Sequence, residues 1–108
     1  MTVHELMQKA SLGELCLAQP QREVDGVYCG DLLSWVMGRA RSGNAWITIM
    51  SNANVAAVAA LTDVSCVIFA EGVHPDPDAE QAARERGINL LSSDKGIYET
   101  AVLIAGCL

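Results

Sequence analysis

ITIMSNANVAAVAALTDVSCVIFAEG, residues 47–72, is the stretch on which the fold turns. A β-branched apolar run breaks off at Ser51-Asn52, and a segment of Val, Ala and Leu follows. After Thr62-Asp63 a second apolar run closes at Glu71-Gly72. Runs this short and this apolar, bounded by turn residues, suit strands buried on both faces, and the segment between them is long enough for a helix. Asn52 is placed to cap that helix over 53–61. The stretch is therefore a β-α-β unit, which pairs its strands in parallel through a right-handed crossover.

The same junction recurs on either side. VYCGD (27–31) leads into a helix over 32–41 with Asp31 at its cap. There Leu33, Val36, Met37 and Ala40 share a face, Trp35 falls off it, and Gly43 ends the helix. VIFAEGVHPD (67–76) leads into a helix in which Asp76 caps, Pro77 takes the first helical position and Gly87 closes. INLLSSD (88–94) is a weaker fourth junction. Ser93 or Asp94 opens its helix, with Ile97, Ala101 and Ile104 as the buried stripe. At the start, Thr2-Val3-His4-Glu5 fits the S/T-x-x-E capping box of a helix that ends near 11–13. Strands over 14–18, 22–29, 45–50, 65–70 and 88–91 complete the order α-β-β-α-β-α-β-α-β-α.

The fold class is α/β: a mainly parallel sheet with helices on both faces, in a single domain over 1–108. VAAVAAL (55–61) has no polar residue on any side, so it must be covered all round. The sheet covers one side. A second helix, or a second copy of the chain, covers the other.

Seven basic against thirteen acidic side chains give a net charge of −6. That argues against a nucleic-acid partner, which demands a basic face. Arg39/Arg41 and Arg84/Arg86 sit near helix ends, where they complement the dipole. No apolar stretch approaches the ~20 residues of a membrane span, and MTVHELMQKA lacks the basic and apolar segments of a secretory leader. A cytoplasmic protein with no membrane partner is expected. Cys16, Cys29, Cys66 and Cys107 are dispersed without a CxxC pair, each in an apolar run, and read as small buried hydrophobes rather than metal ligands. No cofactor is expected.

Phosphate-loop, GxGxxG, GxSxG and HExxH patterns are all missing. No nucleophile–base pair can be named, so no catalytic residue is assigned and the chain is not expected to be an enzyme. His4 reads as a surface residue and His74 as a solvated loop residue. Ligand sites in open α/β sheets gather at the carboxyl ends of the strands, which makes Asp31, Ser51, Asn52, Asn54, Glu71, Ser92 and Ser93 the candidate ligand contacts. The turn 51–54 carries no negative charge and offers a hydroxyl, amides and free N–H groups at a helix start, a combination suited to phosphate or carboxylate. Glu71, following a buried strand, is placed either to hydrogen-bond a ribose hydroxyl or to stand as a plain solvated residue of the rim. Asp76, Asp78 and Glu80 make the next helix start unfavourable for an anion.

REVDGVYCGDLLSWVM, AWITIMSNANVAAVAAL, CVIFAEG and ARERGINLLSSDKGIYETAVLI together resemble the DRTGG domain, from about Glu14 onward. That domain is similar to the N-terminal domain of HPr kinase/phosphorylase and, more distantly, to the first domain of some Mur ligases. The name-giving string is absent, and its turn falls at Ser51-Asn52-Ala53-Asn54. The kinase's phosphate loop and catalytic domain are absent too, so kinase activity does not carry over. The resemblance implies an α/β regulatory or assembly module, often dimeric. Such domains occur beside CBS domains in regulated pyrophosphatases and in some phosphotransacetylases, and as short members encoded near iron hydrogenase components. Two functions follow. The first is a non-catalytic regulatory module binding a small anionic ligand or nucleotide as a homodimer. The second is a ligand-free interaction or assembly subunit for a partner enzyme, metabolic or redox, such as an iron hydrogenase system.

Overall fold

In the computed structural model, which describes residues 1–108, the chain forms α1 (Val3–Lys9), β1 (Gly13–Cys16), β2 (Gly26–Cys29), α2 (Leu33–Arg39), β3 (Asn44–Thr48), α3 (Asn54–Thr62), β4 (Cys66–Phe69), α4 (Pro77–Arg86), β5 (Leu90–Ser92) and α5 (Ile97–Cys107). The sheet order is β1-β5-β4-β3-β2. Strands β2 to β5 are parallel, and β1 runs antiparallel at the far edge. From β2 to β5 each strand steps the same way across the sheet. Crossovers of one hand therefore deposit α2, α3 and α4 on one face, and α1 and α5 are left for the other.

The period-two alternation of the strands divides the core accordingly. Trp46, Val67, Phe69 and Leu90 meet Val36, Val55, Val58, Ala59 and Ala83 from α2, α3 and α4. Ala45, Ile47, Cys66, Ile68 and Leu91 face the opposite way and meet Val3, Leu6 and Ile104 from α1 and α5. Burial pushes the Cys66 thiol up to about 12, so it is a core group without nucleophilic character at neutral pH.

The local signals work as read at three helix ends. Glu5 N donates to Thr2 Oγ1 at 3.1 Å and Thr2 N donates to Glu5 Oε1 at 3.0 Å, completing the capping box. The bond to Thr2 holds the Glu5 carboxyl below its ordinary range. Helix α4 starts with Pro77 at its first position, although Asp76 before it makes no capping side-chain bond, and closes at Gly87 with φ 70°.

Elsewhere tertiary contacts override the local pattern. Residues 22–25 leave the sheet, because Arg22 O and Met1 O take up bonds that tie this segment to the start of α1 (Val3 N to Arg22 O, Val24 N to Met1 O). Arg22 also reaches Asp63, at 3.0 Å. The Ser42 hydroxyl and Arg22 together hold the Asp63 carboxyl below its usual range. Helix α2 stops at Arg39, and Gly43 instead turns the chain into β3 with φ 86° and the Asp25 carboxylate packed where a Cβ would sit. Met37 is exposed, not buried, and so is Cys29, because β2 is the sheet's edge strand. Helix α5 opens at Gly96-Ile97, not at Ser93 or Asp94.

The covering of α3 decides between the two alternatives that its sequence left open. It lies between α2 and α4 with the sheet beneath it. Its buried residues are Val55, Ala56, Val58 and Ala59. The sheet and the flanking helices cover most of it, so α3 does not call for a second copy; Ala60 and Leu61 nevertheless stay exposed, Leu61 to 70%, and the expected cover on every side is not complete.

Candidate functional site

Four strand ends line up along one rim, in the order β5, β4, β3, β2, and carry the candidate residues with them. Asp31 follows β2, Ser51, Asn52 and Asn54 follow β3, Glu71 follows β4, and Ser92 and Ser93 end β5. The parallel topology therefore brings all seven to one edge, but their side chains do different work.

Asp31 does not cap α2. Leu32 is the cap residue and makes no side-chain bond. The Asp31 carboxylate instead reaches across to the neighbouring strand, where Oδ1 accepts from Thr48 Oγ1 at 2.8 Å and from Ile49 N at 2.9 Å. Thr48 is fully buried, and its Oγ1 accepts in turn from Met50 N. The chain Asp31–Thr48–Met50 thus shapes the backbone that enters the turn at Ser51. Asp31→Ala is expected to lower unfolding free energy by about 1–3 kcal/mol through the lost partner of a buried hydroxyl. Asp31→Asn, which keeps an acceptor oxygen, should cost less. Urea titration of the two variants checks the ranking.

Glu71 does not wait for a ribose. Its backbone is left-handed (φ 61°), and its Oε2 accepts from Ile97 N at 3.0 Å, capping α5 from a separate loop. The connections after β4 and β5 depart to opposite faces of the sheet, where α/β folds commonly open a crevice. Here that gap is stitched shut: Glu71 N donates to Lys95 O at 2.8 Å, Gly72 N to Ser93 O at 3.0 Å and Ser93 N to Phe69 O at 2.8 Å. Ser93 is buried, its hydroxyl 2.8 Å from Thr100 Oγ1. Ser92 Oγ lies against Gly13 of β1, in the space that a Cβ there would fill.

The turn 51–54 is built differently. Asn52 Oδ1 accepts from Asn54 N at 2.9 Å and Asn52 O from Val55 N at 3.1 Å, so Asn52 caps α3 as its sequence position suggested. Ala53 already has helical φ and ψ. The N–H groups of Ser51, Asn52 and Ala53 find no acceptor in the protein, and no carboxylate lies within the turn. Asn54 is exposed, and Ser51 and Asn52 are half-buried. The turn is thus a cluster of backbone donors at the positive end of a helix, open to solvent.

One concavity marks the surface, and sequence reasoning missed it. It has a volume of about 260 Å³ and lies on the outer side of α5, lined by Lys95, Tyr98, Glu99, Val102 and Leu103. The uncharged run from Thr100 to Leu108 was the available signal.

Comparison with known proteins places this geometry in context. The DRTGG domain family matches residues 13–107. No match is found among curated proteins. Among solved structures, the chain is similar to the CBS and DRTGG domains of the regulatory region of Clostridium perfringens pyrophosphatase, crystallised with its activator diadenosine tetraphosphate. The TM-score is 0.74 at 14% identity, over 99% of this chain and 47% of that one. The likeness is one of fold, and the chain spans about half the length of that relative.

Proposed function

This chain belongs to the DRTGG domain family, and from that premise we propose that it is a non-catalytic regulatory module that binds a small anionic ligand of the nucleotide class and acts as a homodimer. The observation that carries the ligand reading is the turn 51–54. Three consecutive unpaired N–H groups at the start of a nine-residue helix, in a turn free of carboxylates, suit a phosphate group. The Ser51 hydroxyl and the Asn54 amide flank it. Asp31 fixes the approach through Thr48, and Glu71 and Ser93 hold the adjoining loops in place. The nucleotide class draws support from the pyrophosphatase regulatory region, whose activator is a dinucleoside polyphosphate.

A thermal-shift screen with diadenosine tetraphosphate, mononucleotides, acyl phosphates and sugar phosphates tests the reading. A ligand present at 100 times its Kd adds about 2.7 kcal/mol, which raises Tm by roughly 10 °C in a chain of this size. Ser51→Asp, which puts a negative charge in the turn and leaves the Asn52 cap in place, is expected to abolish the shift, as is Asn52→Leu combined with Asn54→Leu. No shift at millimolar ligand, or a shift that survives these substitutions, overturns it.

The first outcome would favour the ligand-free assembly subunit instead. The surface of α2 supports that second reading: Leu32 and Trp35 are more than half exposed, and the Arg39 guanidinium stacks 3.8 Å over the Trp35 ring.

A further inference from the structure

We infer that the outer surface of α2 docks an acidic segment of a partner protein, one that sets carboxylates around an apolar side chain. This rests on the interaction reading of α2 given above and supplies the chemistry of the partner. Charge decides it. From Leu32 to Thr62 the chain carries no Asp, Glu, Lys or His, and two arginines, Arg39 and Arg41. That stretch has a charge of +2, whereas the rest of the chain holds 5 basic and 13 acidic side chains, a charge of −8.

The stretch comes to the surface at α2. Helix α3 packs against α2 on one side and α4 on the other, so α2 is the outermost of the three. Only Val36 of this helix is buried. Leu32, Trp35 and Met37, with Ile49 on the adjoining rim, are between 40% and 57% exposed. Leu32, Trp35 and Arg39 recur at helical spacing along one flank, and Ser34 and Gly38 beside them are exposed and carry little or no side chain. The Arg39 guanidinium lies 3.8 Å over the Trp35 ring, which restricts its rotamers and leaves its N–H groups for an acceptor from outside. Neither Arg39 nor Arg41 enters an ion pair of the chain. The carboxylates bordering the stretch are engaged elsewhere, Asp31 on Thr48 and Ile49, Asp63 on Arg22 and Ser42. Exposed Trp and Arg side by side are the residue types that anchor protein interfaces.

A nucleic acid fits this surface poorly. Two arginines neutralise few phosphates, the acidic remainder repels a long polyanion, and the exposed Leu, Met and Ile side chains call for apolar contacts that a phosphate backbone lacks. An acidic protein segment with an apolar anchor meets both demands. The same acidic remainder confines such a partner to α2, because the rest of the chain repels it. The exposed face of α5 gives no comparable direction, since its groove is lined by one charge of each sign, Lys95 and Glu99.

NMR titration of the full nitrogen-15-labelled chain tests the assignment with a synthetic amphipathic peptide, about four helical turns of leucine and glutamate, and with versions in which glutamine or lysine replaces every glutamate. The glutamate peptide should give saturable shifts centred on Leu32 to Arg41 and the Trp35 indole N–H, and raising salt from about 50 to about 500 mM should weaken it roughly tenfold. Arg39→Glu and Trp35→Ser, both at exposed positions, should each weaken binding roughly tenfold or more, with the circular dichroism spectrum and Tm unchanged. The glutamine and lysine peptides should leave α2 unshifted. Equal binding of the glutamine peptide at α2 overturns the acidic chemistry and leaves α2 as an interaction surface. Saturable shifts at α2 with oligothymidylate but not with the glutamate peptide, or shifts there that grow with protein concentration in the free chain, assign the surface to a nucleic acid or to a second copy and overturn the inference. No shift at α2 with any of the three peptides at millimolar concentration overturns it together with the interaction reading of α2.

Discussion

Val58→Asp is expected to remove much of the stability of the fold, at any protein concentration. Val58 is 6% exposed, on the side of α3 that packs into the core between the sheet, α2 and α4. The side chains packed around it are apolar: Val36, Trp46, Val55, Phe69 and Ala83 among them. A buried unpaired charge costs about 4 kcal/mol or more, and the stability of such a domain is of the order of 5–15 kcal/mol. The variant should therefore show collapsed thermal unfolding or poor recovery as soluble protein. Were α3 a subunit interface, the same substitution would yield a folded monomer. A folded monomeric Val58→Asp would thus reverse the present assignment of the interior.

Trp46→Ala is the second large effect. Trp46 is fully buried at the centre of β3, and its Nε1 donates to Gly30 O at 2.9 Å. The ring fills the space under α2 and α3, and the indole N–H fixes the junction from which Asp31 reaches Thr48. Truncation should cost about 3–5 kcal/mol from lost burial and the cavity left behind. Trp46→Phe keeps most of the packing and loses the hydrogen bond, and about 1–2 kcal/mol is expected for it. Equilibrium denaturation of the pair separates the packing contribution from the hydrogen bond. Equal losses would show that the bond to Gly30 carries the site's geometry.

The order of elements was legible because each strand is short, apolar and bracketed by turn residues, and because Thr2/Glu5, Asp76-Pro77 and Gly87 mark helix ends by local chemistry. The capping role of Asn52 was legible for the same reason, since its partner lies two residues away. Contacts that bridge distant parts of the chain were not. Asp31 stands where a cap belongs, yet its partners are on the neighbouring strand. Glu71 caps a helix that begins 26 positions later. Nor does apolarity alone say which helix is left uncovered. VAAVAAL and AVLIAGCL look alike as sequences. The direction in which the strands step places the first among three helices of one face and leaves the second with only α1 beside it.

The donor turn between β3 and α3 stands or falls on an NMR titration of uniformly nitrogen-15-labelled protein with diadenosine tetraphosphate. The predicted result is saturable amide shifts centred on Ser51, Asn52, Ala53 and Asn54, with smaller changes at Asp31 and Ile49. Shifts centred on Lys95 and Tyr98 in the α5 groove, or no saturable change at millimolar ligand, would contradict it.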